Sequence, residues 1–231
     1  MRTLAVSIAV VALSACGAKT GLPVADADCA AAPACCVPSA ETCNGLDDDC
    51  DGVADDGVRC FVLNGTERIA SIRTSACAAD WYAYGSPATS SANPSPDIRS
   101  SGGIEVAVHE GPPACGGASL ALIADQVDDG SGGTLVGTFT LDPAIASAVV
   151  LSDEPDECRY AAGTATCDWT WQPCCTDGVV LGPFPGDFCV DVALSGLSGV
   201  RAAVDVHDGP SRTVAAALSF EICGTTIPAV P

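Results

Sequence analysis

Fifteen cysteines among 231 residues constrain the fold of this chain more than any other feature. Cysteines at this density are typical of proteins that fold in an oxidising compartment, where they pair as disulfides. A zinc site would need cysteines two to four residues apart, often with histidine. Cys35 and Cys36 are adjacent instead, as are Cys174 and Cys175, and both histidines lie far from them. The sequence therefore predicts an exported, disulfide-rich protein, with its connectivity left open.

The N-terminus carries the signals of export. One basic residue, Arg2, precedes an apolar run over residues 4–13, and small residues follow at once. A membrane span needs about 20 apolar residues, so this shorter run fits the apolar region of a signal peptide better. We therefore predict a signal peptide over residues 1–15.

Residues 13–16, Leu-Ser-Ala-Cys, resemble the lipobox of bacterial lipoproteins. The resemblance implies that Cys16 carries a diacylglyceryl group and becomes the acylated first residue of the mature chain, anchoring it in a membrane. Gly17 favours the outer membrane by the same resemblance, and the side that the protein faces stays open. An ordinary cleaved signal peptide is the alternative. The fourteen cysteines besides Cys16 favour lipidation, because an even number can pair completely.

Charge restricts the possible partners. The formal net charge is −20, so nucleic acid and anionic lipid surfaces repel this chain and cations attract it. We predict a metal cation as a partner and exclude nucleic acid. A solvated acidic surface that keeps an exported protein soluble is the alternative explanation for much of this charge.

Most of the chain shows the alternation of apolar and polar residues that is typical of half-buried strands. It is clear over residues 135–141, 188–194 and 214–222. The sequence predicts a mainly β fold, a disulfide-rich antiparallel β-sandwich preceded by a short Asp-rich metal-binding loop and a disordered tether. The predicted segments are an Ala/Pro-rich tether over residues 16–42, an acidic segment over residues 43–60, and the sandwich over residues 61–231.

One internal repeat lies within the predicted sandwich. Residues 106–112 (VAVHEGP) recur as residues 204–210 (VDVHDGP). A duplication would give two related halves, whereas two similar hairpins would lie in one sandwich. We favour one sandwich, because too little chain follows the second copy to complete a second half. The repeat predicts His109 and His207 on outward strand faces as surface residues, with a metal-binding pair as the alternative.

The acidic segment has the spacing of a calcium loop. Alternate aspartates followed by glycine form the D-x-D-x-D-G half of such a loop, in which carboxylates converge on one ion. Position twelve holds Val58 instead of the glutamate of an EF-hand, and no helices flank the segment. A solvated acidic turn without an ion is the alternative. The predicted metal ligands are Asp47, Asp49, Asp51, the backbone carbonyl of Val53, Asp55 and Asp56.

Residues 43–57, CNGLDDDCDGVADDG, resemble the short metal-binding motif of MopE-type bacterial surface proteins, written CNGxDDDCDGxxDEG. The match covers only residues 41–57, and Asp56 stands where the family has glutamate. The resemblance implies a metal site clamped by a disulfide between Cys43 and Cys50. Hard oxygen donors favour calcium over zinc or copper. Copper is the less favoured alternative, because the family's name carries a copper association.

No pairing of a nucleophile with a base is visible, and no Gly-x-Ser-x-Gly, His-Glu-x-x-His or phosphate-loop motif occurs. The sequence therefore predicts a non-enzymatic, lipid-anchored envelope protein whose β-domain binds or adheres to a partner such as a polysaccharide or a surface protein. A carbohydrate-binding module and a hydrolase with an unrecognised site are the alternatives.

Two further clusters have less specific interpretations. Trp169 and Trp171 share a strand face with Cys167 and are predicted to pack in the core, with a sugar-stacking platform as the alternative. Residues 153–157 (DEPDE), together with Asp168 and Asp177, are predicted to form an acidic loop, with a second cation site as the alternative.

Overall fold

The computed structural model describes residues 38–82, 98, 102–124, 130–146, 148–154, 156–173, 175–210 and 212–227. The predicted signal peptide, Cys16 and residues 16–37 of the predicted tether lie outside these residues. No helix within them is long and apolar enough to cross a membrane.

Two sheets and one short helix, α1 (Ala78–Tyr82), form the described part of the chain. Sheet A is antiparallel and runs, in spatial order, β2 (Glu67–Ile69), β1 (Arg59–Leu63), β14 (Ser219–Thr226), β11 (Phe188–Ser198), β6 (Gly133–Asp142), β9 (Thr164–Trp171) and β8 (Cys158–Ala161). Sheet B runs β13 (Arg212–Ala216), β12 (Val204–Asp208), β4 (Ile104–Glu110), β5 (Ala118–Ala124), β10 (Asp177–Phe184) and β7 (Val149–Ser152), and β3 (Ile72–Arg73) also pairs with β4. Only the β4 pairings with β12 and β3 are parallel in these sheets.

The main core lies between the two sheets. In β6, Leu135, Phe139 and Leu141 point into it while Thr140 is exposed. β11 alternates in the same way, with Asp191 exposed. Apolar residues of both sheets meet in one cluster, which is how a sandwich buries a face of each sheet. The predicted mainly β sandwich is confirmed.

The predicted single strand over residues 214–222 is wrong in one respect. The chain bends after Ala216, so that β13 belongs to sheet B and β14 to sheet A. Val214 on one side of the bend and Phe220 and Ile222 on the other all contribute to the same core. The alternation stays in phase across the bend, because each sheet directs this set of residues inward.

A third layer covers the outer face of sheet B. Ala78, Trp81 and Tyr82 of α1, with Ile72 and Ile98, pack on the face of β4, β5 and β10 that points away from the main core. These three strands are therefore buried on nearly every residue. A five-residue helix is too short to show helical periodicity, so this layer could not be predicted from the pattern of apolar residues.

The prediction of surface histidines is wrong, because both side chains are buried. His109 is 1% exposed and stacks on Trp81, with ring centroids 4.3 Å apart, while its Nε2 contacts the Thr74 hydroxyl at 2.9 Å. His207 is 7% exposed, and its Nε2 lies 3.0 Å from a Glu105 carboxylate oxygen. The two copies of the repeat form the neighbouring parallel strands β4 and β12 of one sheet.

All ten cysteines of the described residues are disulfide-bonded. The predicted bridge between Cys43 and Cys50 is wrong, because Cys43 pairs with Cys60 of β1 and so closes the whole acidic segment instead of half of it. Cys50 is also disulfide-bonded, as is Cys175. The other bridges within the described residues are Cys77–Cys115, Cys158–Cys167 and Cys189–Cys223.

The two neighbouring tryptophans of β9 belong to the core, as predicted. Trp169 is fully buried and meets Phe139 edge to face, and Trp171 is buried beside it. Cys167 of the same face is bonded to Cys158. Neither indole presents a free ring face, so these residues offer no sugar-stacking platform.

Candidate metal centre

The acidic segment is attached to sheet A at both of its ends. The disulfide from Cys43 reaches Cys60 in β1. At the other end the Gly57 amide donates to the Ile227 carbonyl at 2.8 Å, and the Ile227 amide donates to Val58 at 3.0 Å. The segment between these attachments, residues 43–57, has no regular secondary structure and forms the acidic loop.

Side chains of alternate aspartates fold the acidic loop back on itself. The Asp51 amide donates to carboxylate oxygens of Asp47 and Asp49, each at 3.1 Å. The Gly52 amide donates to Asp47 at 2.9 Å, and the Val53 amide donates to Asp51 at 2.9 Å. Gly52 has a φ of 100°, a left-handed conformation that glycine adopts without strain. These contacts direct the alternate carboxylates to the inside of the turn.

Four carboxylates meet around that of Asp49. Oxygens of Asp49, Asp51 and Asp56 lie within 4.8 Å of one another, and a second group joins Asp49 to Asp47 and Glu41 at the same spacing. Two oxygens bound to one calcium ion at about 2.3–2.6 Å cannot be more than about 5 Å apart. Each of the two groups therefore has the spacing of a calcium site, and Asp49 belongs to both.

Glu41 is the member of this group that was not among the metal ligands predicted from the sequence. One of its carboxylate oxygens accepts the Asp49 amide at 2.8 Å. The other oxygen is shielded from solvent and has no hydrogen-bond partner among the described residues. Glu41 lies outside the D-x-D-x-D-G spacing, so only its place in a dense acidic stretch could have indicated it.

Asp48 faces away from the group around Asp49. Its carboxylate accepts the Thr42 hydroxyl at 2.7 Å and the Asn44 side-chain amide at 2.9 Å. These hydrogen bonds stabilise the start of the loop and keep the Asp48 carboxylate outside the candidate site. Asp48, which lies between Asp47 and Asp49 in the sequence, was not among the predicted ligands.

Asp55, one of the predicted ligands, has a different environment. It is 1% exposed and accepts the backbone amides of Asn44 and Gly45, each at 2.8 Å, together with the guanidinium of Arg68 in β2. Burial acts to raise the pKa of Asp55, but the Gly45 amide, Arg68 and the Asn44 amide outweigh it, so the pKa is lowered. Asp55 therefore joins the loop to β2 as a carboxylate, while Asp56 points to Asp49.

Sulfur and imidazole donors are absent from the group around Asp49 within the described residues. Cys43 and Cys60 lie near Asp55, but their sulfurs form a disulfide. Both histidines belong to strands of sheet B and contact Thr74 and Glu105. The donors that converge around Asp49 are carboxylate oxygens.

No family model, no curated protein and no solved structure matches the chain.

Proposed function

We propose that this chain is a non-enzymatic, lipid-anchored envelope protein whose acidic loop binds calcium. The observation that carries the proposal is the convergence of Glu41, Asp47, Asp51 and Asp56 on Asp49. Like charges at this spacing repel one another, so a bound cation stabilises the loop in this conformation.

The donor set supports calcium over copper. Calcium takes six to eight oxygen ligands, whereas copper favours imidazole or sulfur. The carboxylates around Asp49, with the predicted carbonyl of Val53, supply enough oxygens for calcium. The MopE-type motif supports a metal in this loop without deciding which metal it is.

The attachments of the loop suggest what the metal does. Disulfide, backbone and Arg68 contacts join the loop to β1, β2 and the end of β14. An ion bound at Asp49 therefore rigidifies the segment between the predicted membrane tether and the sandwich. In this proposal the sandwich is the part that binds a polysaccharide or a surface protein.

Calorimetric titration tests the calcium site. The full chain, purified in detergent under oxidising conditions and freed of metal, is expected to bind calcium with a measurable heat. Asp49→Asn removes the carboxylate shared by both groups and should weaken the binding at this loop by at least about tenfold. Asp191→Asn is the matched control, because it removes one exposed charge from β11 and should leave the titration unchanged. Equal titrations for all three chains would contradict a site at this loop.

The proposed anchor has a separate test. Mass spectrometry of the exported chain should find an acylated N-terminus at Cys16, and detergent should be needed to extract the protein from membranes. Cys16→Ser removes the sulfur that receives the lipid, so this variant should not become acylated. An exported native chain that lacks acyl groups would support an ordinary cleaved signal peptide instead.

A further inference from the structure

One disulfide attaches the third layer to sheet B. Cys77 directly precedes α1, and its sulfur is bonded to that of Cys115 in the turn between β4 and β5. The Trp81 amide donates to the Cys77 carbonyl at 2.9 Å, so this cysteine also begins the helical turn. The bond therefore holds the start of α1 against the connection between two central strands of sheet B.

This disulfide, called the exposed bridge below, is the most accessible of the four bridges named above. Cys77 is exposed and Cys115 is half-buried. Each of the other three bridges has either one buried cysteine or two half-buried ones. A thiolate must reach a sulfur in order to exchange with it, so accessible disulfides are the first to be reduced. We therefore expect the exposed bridge to react before the others.

Two of the other bridges join residues that the sheets already hold together. Cys158 lies directly opposite Cys167 in the β8–β9 pair, and Cys189 lies directly opposite Cys223 in the β11–β14 pair. If such a bridge opens, the backbone hydrogen bonds of the strands keep its two sulfurs close, and it closes again. The two cysteines of the exposed bridge lie outside the strands of sheet B. Their separation after reduction is therefore not prevented by strand pairing.

The helix α1 depends on its attachments. It has five residues, whereas isolated helices shorter than about 12–15 residues are marginal in water. The exposed bridge holds its start, while Trp81 stacks on His109 and Tyr82 is fully buried at its end. Reduction removes the covalent attachment and leaves packing to hold the helix. The helix is therefore expected to loosen when the exposed bridge opens.

We propose that the exposed bridge is a redox-sensitive attachment of the third layer, which a dithiol reductant opens while the folded sandwich keeps the other bridges named above. One thiolate of the reductant attacks the sulfur of Cys77, the S–S bond breaks, and Cys115 leaves as a thiolate that takes up a proton. The second thiolate of the reductant then displaces Cys77, which also takes up a proton, and closes into a disulfide. Two electrons and two protons pass to the chain, and the dithiol is oxidised.

Opening of the exposed bridge changes the surface that sheet B presents. Beneath the third layer lie apolar residues of β4, β5 and β10. His109 of β4 is 1% exposed under the ring of Trp81. His207 of the neighbouring strand β12 is buried with Glu105 as its partner instead. Loosening of α1 should therefore uncover His109 and leave His207 protected.

Graded reduction of the full, folded chain with dithiothreitol tests the order of opening. Free thiols are alkylated and located by peptide mass spectrometry. Cys77 and Cys115 should be alkylated at least about tenfold faster than Cys189 and Cys223. The latter pair is the matched control, because its sequence separation of 34 residues is close to the 38 of the exposed bridge, so both close loops of similar length. Reduction of the control bridge first, or of both bridges at one rate, would overturn the proposal.

Labelling with diethyl pyrocarbonate tests what the opening uncovers. After reduction and alkylation of the exposed bridge, His109 should be labelled while His207 stays protected. The double variant Cys77→Ser, Cys115→Ser should give the same pattern without reductant, and the reduced unmutated chain decides the question if this variant does not fold. Protection of both histidines after the bridge has opened would refute control of the third layer. Equal labelling of both would indicate general unfolding and would refute it as well.

Discussion

At the residue scale, neighbouring aspartates of the acidic loop have different tasks. Asp49 lies in the middle of a group of carboxylates, whereas Asp55 accepts two backbone amides and the Arg68 guanidinium. The difference follows from what surrounds each side chain. Asp49 is exposed and meets other acids, while Asp55 is buried against β2. The spacing of the aspartates could not predict these different environments, because the partner of Asp55, Arg68, lies outside the acidic loop.

Arg68→Ala should destabilise the fold without touching the proposed calcium ligands. It removes one of the three donors to buried Asp55. We expect a loss of about 1–2 kcal/mol, less than for a fully buried pair, because Arg68 is 46% exposed and two amides still bind Asp55. Urea unfolding measures the loss. Arg73→Ala, which breaks a more exposed pair with Glu110, should cost less, and an equal cost would argue against the role given to Asp55.

Gly52→Ala should weaken calcium binding through the backbone alone. Gly52 has a φ of 100°, and a Cβ placed there meets no atom within 4 Å, so the effect of alanine is conformational strain. A strain of about 1–2 kcal/mol corresponds to roughly a 5- to 30-fold loss of affinity if binding needs this conformation. Gly186→Ala is the matched control, because its Cβ also meets nothing and its φ is not left-handed. Unchanged calcium heat in Gly52→Ala would contradict the loop geometry.

At the scale of elements, periodicity predicted the strands and their inward faces but not how the strands are covered or joined. β6 and β11 lie where alternation placed them, because each has one buried face. The alternation of apolar and polar residues could not predict the bend between β13 and β14, because it continues in phase through the bend. His109 and His207 lie outside the main core, but His109 is buried against Trp81 of α1 and His207 is buried beside Glu105 of β4. Such coverage depends on contacts between distant segments.

Glu105→Ala tests the buried pair of Glu105 and His207. His207 is buried with Glu105 as the partner of its Nε2, so removal of the carboxylate leaves a buried polar atom without that contact. We expect thermal unfolding to report a loss of about 1–3 kcal/mol. Glu105→Gln keeps an oxygen acceptor and should lose less. If both variants unfolded like the unmutated chain, the pair would contribute nothing to stability.

At the scale of the whole molecule, acidic groups that lack basic partners make stability depend on divalent cations. The chain has 29 acidic and nine basic residues, and the carboxylates around Asp49 concentrate part of the excess. Composition predicted an attraction for cations, and the D-x-D-x-D-G spacing predicted the proposed site in the acidic loop. Composition could not predict that Glu154, Glu157 and Asp177 meet in a second acidic group.

EDTA should lower the Tm of the unmutated chain, and calcium should restore it. A ligand at 100 times its Kd stabilises the folded state by about 2.7 kcal/mol for each site. Sodium chloride at matched ionic strength is the control, because it screens repulsion without occupying a site. Full recovery of Tm in sodium chloride alone would mean that screening, not binding, accounts for the effect.

The most direct measurement is an anomalous difference map from crystals of the full chain grown with calcium. A bound ion at the acidic loop should appear as a peak about 2.3–2.6 Å from a carboxylate oxygen of Asp49, with oxygens of Asp47 and Asp51 in the same shell. A map from calcium-saturated crystals that shows the ordered loop and no peak near Asp49 would contradict the proposed function.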